Sequence, residues 1–300
     1  MTRKVPTEVG GRELTLSNLE KVLYPRDGFT KGAVVDYYRR VAPVLLPHVR
    51  DRPVTRKRCP DGVEGRAFFE KNAPAHTPGW VRTVNLPTPG SAKGRASADF
   101  VLVDGPATLV WLANLAALEL HVPQWRVGPR GKVHHPDLMV FDLDPGEPAT
   151  IVEACRVACA LRDLLAEDGL TAHPKTSGKK GLHVYVPVRE TKRTHAYARR
   201  AALRLEDAEP DLVISRMERR LRREKVFVDW SQNNPAKTTV APYSLRVAPR
   251  PTVSTPVTWD EVESCTSPQD LVFDAETVLE RIDRHGDLLA PLLREAPRLP

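Results

Sequence analysis

One stretch limits the possible folds more than any other. Leu138-Met139-Val140-Phe141-Asp142-Leu143-Asp144 reads as a short apolar strand ending in carboxylates, and Pro145-Gly146 stops it. Thr150-Ile151-Val152-Glu153 then forms a capping box, with Thr at the N-cap and Glu at N3. The helix it opens is expected to run to about Asp168 and to end at Gly169. Residues 170–176 and 182–188 read as strands joined by a Gly-rich turn. Helical patterns fill 193–208 and 211–224, and Val226-Phe227-Val228-Asp229-Trp230 reads as another strand. This order is strand, helix, strand, strand, helices, strand. It fits the split βαβ plan, with helices on one face of the sheet.

The rest of the chain adds a second layer of expectation. Its 300 residues suit two domains or one large two-lobed unit. Residues 13–49 read as strand or turn followed by helix, amphipathic from Val34 to Leu46. Residues 84–98 are rich in Pro, Gly and Ser and read as a mobile loop. Ala107 to Leu120 reads as an apolar helix holding Trp111, and a Pro-rich tail after Pro251 turns helical from about Ala275 to Leu293. No run approaches the roughly 18 apolar residues of a membrane helix, and the start lacks a secretion signal, so the cytoplasm is the expected location. Cys59, Cys155, Cys159 and Cys265 show no C-x-x-C pair and no zinc spacing with His. Cys155 and Cys159 share a helix face, which suits core packing in a reduced, intracellular protein.

Charge brings in the chemistry. Lys and Arg number 45 against 38 acidic residues, and 32 of the 45 are Arg. Arg favours two-point contact with phosphate, although a GC-rich coding bias also raises Arg, so position must decide. On a strand, Asp142 and Asp144 point the same way. Two carboxylates that close repel unless a cation intervenes, and Mg2+ or Mn2+ prefers such oxygen donors. The bland alternative is a solvated acidic turn. Haloacid dehalogenase-type phosphatases also open with an apolar strand and D-x-D. Their pattern wants Thr or Val where Gly146 stands, and a second Asp soon after a pair such as Gly286-Asp287.

Thr176-Ser177-Gly178-Lys179-Lys180-Gly181-Leu182-His183 joins two strands and has the makings of a triphosphate cradle: glycines, a hydroxyl and two cations. It is not a Walker A loop, and an ordinary basic hairpin is the competing reading. Asp229 ends an apolar strand and offers a third carboxylate, enough for two cations bridging a nucleotide's phosphates. Arg50, Arg52, Arg56, Lys57 and Arg58 lie shortly before Phe68 and Phe69, a mix of cations and rings that suits nucleic acid. Arg216, Arg219, Arg220, Arg222, Arg223 and Lys225 lead into the Asp229 strand, where a solvated helix face is the usual meaning.

Taken in order, Phe-Asp142-Leu-Asp144-Pro-Gly, Ser177-Gly-Lys-Lys180-Gly-Leu-His183 and Phe-Val-Asp229-Trp-Ser-Gln232-Asn resemble the archaeo-eukaryotic primase superfamily. The likeness is nearest to the polymerase domain of bacterial ligase D and its stand-alone prim-pol relatives. It extends over nearly the whole chain, through Asn18-Leu-Glu-Lys21-Val-Leu-Tyr-Pro25, Thr30-Lys31, Ala67-Phe68-Phe69-Glu70-Lys71, Leu118-Glu-Leu-His121-Val-Pro-Gln-Trp125 and Ala241-Pro-Tyr-Ser-Leu-Arg246. The resemblance implies an α+β fold: a split βαβ (RRM-like) catalytic sheet with helices, over about 136–300. An N-terminal αβ lobe that binds DNA, about 1–135, packs with it as one primase-polymerase unit.

The resemblance also implies roles. Asp142, Asp144 and Asp229 match the metal triad for two Mn2+ or Mg2+ ions. His121, Ser177, Lys180, Gln232 and Arg246 match positions that hold an incoming NTP or dNTP. His183 matches the superfamily's motif His, and a purely structural role beside Val184-Tyr185-Val186 stays open. Lys21 and Lys31 match the grip on a 5′-phosphate, Phe68 or Phe69 a ring that stacks on the template, and Arg222 a loop that positions the primer hydroxyl. The implied activity is gap filling or end extension in non-homologous end joining, with NTPs preferred. The implied partners are DNA gaps or breaks, an ATP-dependent ligase and an end-binding protein such as bacterial Ku, on the nucleoid. A non-catalytic end-binding module that recruits a ligase is the alternative. Residues 84–98 depart from the family pattern in length and composition, which bears on bridging two DNA ends. The sequence carries no Lys-x-Asp-Gly ligase signature, and numbering from Met1 favours a separate polypeptide.

Overall fold

The computed structural model describes residues 4–88, 94, 96–294 and 296–300. It begins with a hairpin, β1 (Lys4–Val9) and β2 (Arg12–Ser17), and a smaller one, β3 (Val22–Tyr24) with β4 (Phe29–Thr30). Thr30 caps α1 (Lys31–Val49) by accepting from the Ala33 amide. Its Tyr37 and Tyr38 are buried and donate to the Tyr243 and Leu118 carbonyls, tying the helix to distant parts of the chain.

The first sheet follows from β5 (Pro53–Arg58), β6 (Phe68–Glu70), β7 (Thr83–Pro87) and β8 (Ser97–Leu102). The mobile loop expected over 84–98 is therefore two paired strands at its ends, with Val84 opposite Phe100 and Leu86 opposite Ala98. Leu86, Ala98 and Phe100 bury there with Leu102 and Val127, an apolar alternation among prolines and glycines. Residues 89–93 and 95 of that expected loop lie outside the described residues.

The helix expected over 107–120 divides. α2 (Pro106–Asn114) stops, Ala116 takes a positive φ of 56°, and β9 (Ala117–Val122) returns as a strand. The apolar α2 is buried, and the polar residues of β9, Glu119 and His121, alternate with Leu118, Leu120 and Val122, a short strand signal that the preceding apolar run obscures. Strand β9 pairs antiparallel with β5, Thr55 facing His121.

The second sheet starts with β10 (Leu138–Pro145). α3 (Ile151–Glu167) follows behind the expected capping box of Thr150 and Glu153. Next come β11 (His173–Thr176), β12 (Leu182–Pro187), α4 (Thr194–Ala208), β13 (Val213–Ile214) and β14 (Val226–Asp229). The sheet order is β11-β12-β10-β14-β13, so β10 is central, as the split βαβ plan requires. Helices α3 and α4 contact each other and β10. Met139, Phe141 and Leu143 of β10 are fully buried, so the intervening Asp142 and Asp144 lie on the opposite face.

The helix expected over 211–224 is absent. That stretch holds β13, parallel to β14, and a single 3-10 turn at Arg219–Leu221. Glu206 accepts from the Ser215 amide at 2.9 Å, and the Arg222 guanidinium stacks 3.7 Å over the Phe227 ring. Clustered like charges at helical spacing disfavour a helix there.

A last strand, β15 (Thr239–Val240), joins β9 at the edge of the first sheet. After α5 (Trp259–Glu263), α6 (Ala275–His285) ends earlier than expected, at Gly286 (φ 67°). Asp287 turns inward instead, onto His48 at 2.8 Å and Tyr243 at 2.7 Å. One apolar cluster runs through most of the molecule, from Val9 to Leu299. Where β14 turns off at Asp229, the Asn233 side chain takes over pairing with Val140, accepting from its N–H at 2.9 Å and donating to its carbonyl at 2.7 Å. No helix among the described residues is long and apolar enough to cross a membrane.

Candidate active site

The register places three functional side chains in a row. Asp142 on β10 faces His183 on β12 and Asp229 on β14. Directly opposed residues share a face with Cβ atoms about 5 Å apart, and Asp144 lies diagonal to Asp229 at roughly 7–8 Å. These residues look toward the first sheet, to which Tyr185 is joined through its hydroxyl, 3.2 Å from Thr239 Oγ1. Between the sheets lies a cavity of about 320 Å³. It brings together His121, Asp142, Asp144, Ser177, Lys180, His183, Gln232 and Arg246, and Lys179 lines it as well.

Each carboxylate already has a cationic or polar neighbour. Lys180 Nζ lies 3.1 Å from Asp144, with Arg222 at 3.8 Å. Gln232 donates to Asp229 Oδ2 at 2.7 Å, and Lys237 stands 4.0 Å from the same oxygen. His183 Nε2 is 3.4 Å from Asp142, and its Nδ1 is 3.1 Å from Nζ of the fully buried Lys175, whose own pKa burial pushes well down. With Lys175 donating to Nδ1, the ring's proton sits on Nε2 and points at Asp142. Burial, reinforced by Lys175, pushes the His183 pKa down to about 4, so the ring is neutral near pH 7. Burial works to raise Asp142, but His183, Lys175 and Arg246 outweigh it and hold the carboxyl below its ordinary range.

As these side chains stand, no three acidic, His or Cys groups among the described residues converge on one point. The donor chemistry still fits a divalent cation. Asp142, Asp144 and Asp229 offer only hard carboxylate oxygens on neighbouring positions of two strands, all reachable by solvent.

The cradle is tight. Ser177 Oγ accepts from the Lys179 and Gly181 amides, each at 3.2 Å, so these two amides close the loop on itself. Gly178 has φ 71°, and a Cβ there would meet Arg246 Cγ at 2.6 Å. The 246–253 loop thus packs directly on the cradle, with Thr252 Oγ1 donating to the Gly178 carbonyl at 2.7 Å.

Opposite, on β9, Glu119 and His121 share a face. Glu119 is 1% exposed, and although burial opposes its charge, His121 and Arg246 bring its pKa down to about 2. Reading 107–120 as helix hid this pair, whose i, i+2 spacing on a strand was the available signal. Lys57, from the basic run, and Lys179, from the cradle, both stand within 4 Å of Glu119, a convergence the sequence did not reveal.

The outlying expected residues fall elsewhere. Lys31 is buried and donates to the Ser17 carbonyl at 2.6 Å, while Lys21 pairs with Asp61 at 2.9 Å. Burial, then the charges of Lys21 and Arg58, lower the Lys31 pKa to about 8. Phe69 is 55% exposed, edge-on to the His121 ring at 5.3 Å, whereas Phe68 lies under Arg58. Within the basic run, Arg52 and Arg56 turn inward onto Asp137 and Glu70, so they hold the fold together instead of facing nucleic acid.

The family model for the LigD primase-polymerase domain matches residues 30–289. The multifunctional non-homologous end joining protein LigD of Mycolicibacterium smegmatis is 45% identical over 287 residues, covering 94% of this chain and 36% of that protein. The bifunctional LigD of Bacillus subtilis is 31% identical, covering 91% of this chain and 43% of that protein. The chain thus spans well under half the length of these relatives. Among solved structures, the polymerase domain of Mycobacterium tuberculosis ligase D in complex with DNA superimposes with a TM-score of 0.88 at 45% identity. The match covers 95% of this chain and 99% of that one.

Proposed function

The chain belongs to the LigD primase-polymerase family, and from that premise we propose that it is a template-directed nucleotidyltransferase of DNA repair. It extends a 3′-hydroxyl at a gap or broken end carrying a 5′-phosphate, within non-homologous end joining, and prefers NTPs to dNTPs. The observation that carries this reading is the Asp142–Asp229 pairing, with Asp142 and Asp144 lining a cavity whose other wall is cationic.

Asp142, Asp144 and Asp229 would hold two Mn2+ or Mg2+ ions. When bound, such a pair supplies activation of the attacking hydroxyl and charge for the departing pyrophosphate. The chain's own residues do the rest. Arg246, Lys180, Ser177 and His121 bind the triphosphate and hold it in line with the carboxylate row. Lys180, now paired with Asp144, is the cation best placed to move onto phosphate oxygens when the nucleotide enters, while Arg222, 3.8 Å from the same carboxylate, belongs to the loop that positions the primer hydroxyl. Gln232 orients Asp229, and neutral His183 donates to Asp142 and fixes its rotamer. Phe69 offers a ring at the mouth of the cavity for a base to stack on. Lys21 and Lys31 grip the downstream 5′-phosphate, Lys31 moving off Ser17 to do so. An ATP-dependent ligase and an end-binding protein such as bacterial Ku act on the same DNA ends, in the cytoplasm at the nucleoid.

The test is extension of a primer across a one-nucleotide gap with a 5′-phosphate, in Mn2+, with each NTP and dNTP. We expect templated addition, stronger with NTPs. Asp142→Ala with Asp144→Ala should abolish extension and leave gap binding within about threefold, since only transition-state interactions are removed. Equal extension by the double variant would reject the carboxylate assignment. Tight phosphate-dependent binding with no extension by the unaltered protein would favour a recruiting module.

A further inference from the structure

Glu119 is a buried acid that the scheme above leaves without a task. Its surroundings fall into two groups by distance. Oε2 meets His121 Nε2 at 2.7 Å, and Oε1 accepts from the Val247 amide at 2.8 Å. The cations stand further off, with Arg246 Nε at 3.5 Å, Lys57 Nζ at 3.7 Å and Lys179 Nζ at 3.9 Å. At these lengths the two lysines feel the charge without spending a hydrogen bond on it. Arg246 Nε likewise has no hydrogen-bond partner among the described residues.

Three cations drawn round one point would repel if the point were empty. Lys179, 41% exposed, has room to turn out into solvent, and Arg246, 11% exposed, does not. His121 would lose the acceptor that sets its ring orientation. We propose that Glu119 is a positioning residue that orients the His121 ring and gathers Arg246, Lys57 and Lys179 around one anion, so that the unspent donors of these three cations converge on the incoming triphosphate. This rests on the nucleotide site of the polymerase reading. Simple electrostatics gives the opposite sign, because removing a negative charge beside a triphosphate should tighten its binding. The geometry favours placement over net charge: Glu119 is held from both sides and does not line the cavity.

The experiment is equilibrium binding of ATP with Mg2+, by calorimetry, for the full chain and for Glu119→Gln and Glu119→Asp. Glu119→Gln should raise the ATP Kd roughly ten- to hundred-fold, the range typical when an outer partner of a binding group is lost. Turnover at saturating nucleotide and affinity for gapped DNA should stay within about threefold, a KM-against-kcat split that general destabilisation does not produce. Glu119→Asp keeps the charge one methylene further back and should fall between the two. ATP binding that is unchanged or tighter in Glu119→Gln would overturn the proposal. If Glu119→Gln does not fold, wild-type ATP affinity in Glu119→Asp would overturn it. Failure of both to fold would also overturn it, by making Glu119 a structural counter-ion. An unaltered chain that binds ATP but never extends a primer sinks the polymerase reading alone, because the Kd comparison needs no turnover.

Discussion

Replacing Glu70 with Gln should cost this protein several degrees of thermal stability. Glu70 Oε2 accepts from Arg56 at 2.8 Å and from Arg58 at 3.1 Å. Arg56 is fully buried, and its Nε and Nη1 find no partner among the described residues. In Glu70→Gln the remaining acceptor at full strength is the Asn72 carbonyl, 2.7 Å from Arg56 Nη2. Removing one partner of a buried pair costs about 3–5 kcal/mol. The Glu70 side chain is 21% exposed and a Gln oxygen still accepts, so about 3 kcal/mol applies here. An unfolding entropy of about 2.1 cal/mol/K per residue, over 300 residues, turns that into a Tm lower by about 5 °C.

The effect should also depend on pH. Burial raises the Glu70 carboxyl, but Arg56 and Arg58 together hold it below the ordinary 4.5. The pair's contribution is therefore complete above about 4.5 and is lost as pH falls through the lower folded-state value. Thermal melts of both proteins at pH 7 should differ by the full amount, and the gap should close in strong acid. A Glu70→Gln variant melting within about 1 °C of the parent at pH 7 would refute the reasoning that Arg56 depends on this carboxylate.

Two further outcomes follow from the site. A Cβ on Gly181 would stand 2.2 Å from the Leu143 carbonyl, so Gly181→Ala must part β12 from β10 beside the carboxylates. We expect at least a tenfold loss in ATP affinity together with a lower melting temperature, read by calorimetry, and unaltered binding would show that the cradle tolerates displacement. Burial and neighbouring cations bring the Lys31 pKa to about 8, so it loses its charge as pH rises through that value. The ratio of affinities for 5′-phosphorylated and 5′-hydroxyl gaps should fall between pH 7 and pH 9, and a constant ratio would separate Lys31 from phosphate recognition.

The central sheet was legible because its signals are local. Thr150 and Glu153 announce a helix start, Gly169 its end, and Leu138–Asp144 is a short apolar run closed by carboxylates and Pro145-Gly146. The row His183–Asp142–Asp229 was legible only as three separate motifs, since pairing register is a property of the assembled sheet. The failures cluster where the local pattern is short or is overruled from outside the segment. Over 117–122 Glu119 and His121 alternate with Leu118, Leu120 and Val122 as in a strand, but the apolar helix just before them hid that short alternation, and the pairing of Glu119 with His121 was lost with it. Over 211–224 the charge pattern suggested a helix, but Glu206, Phe227 and Gly146 impose a turn from outside the segment. The inward turn of Arg52 and Arg56 was equally invisible, because an ion pair with Asp137 or Glu70 needs those partners brought close by the fold.

Asn233 has a consequence for solubility. Continuing the β10–β14 ladder would set Val140 opposite residue 231, but the chain has left the sheet, and a side-chain amide imitates the missing backbone. The distance from Asp229 to Asn233 therefore works as a fixed gauge. One residue more or fewer in that turn would pull the amide away from Val140 and uncover the N–H and carbonyl of the molecule's central strand. Free strand edges of that kind recruit other strands. Insertions tolerated in this protein should thus avoid 230–233 entirely, and a library built across that turn should lose soluble expression before it loses nucleotide binding.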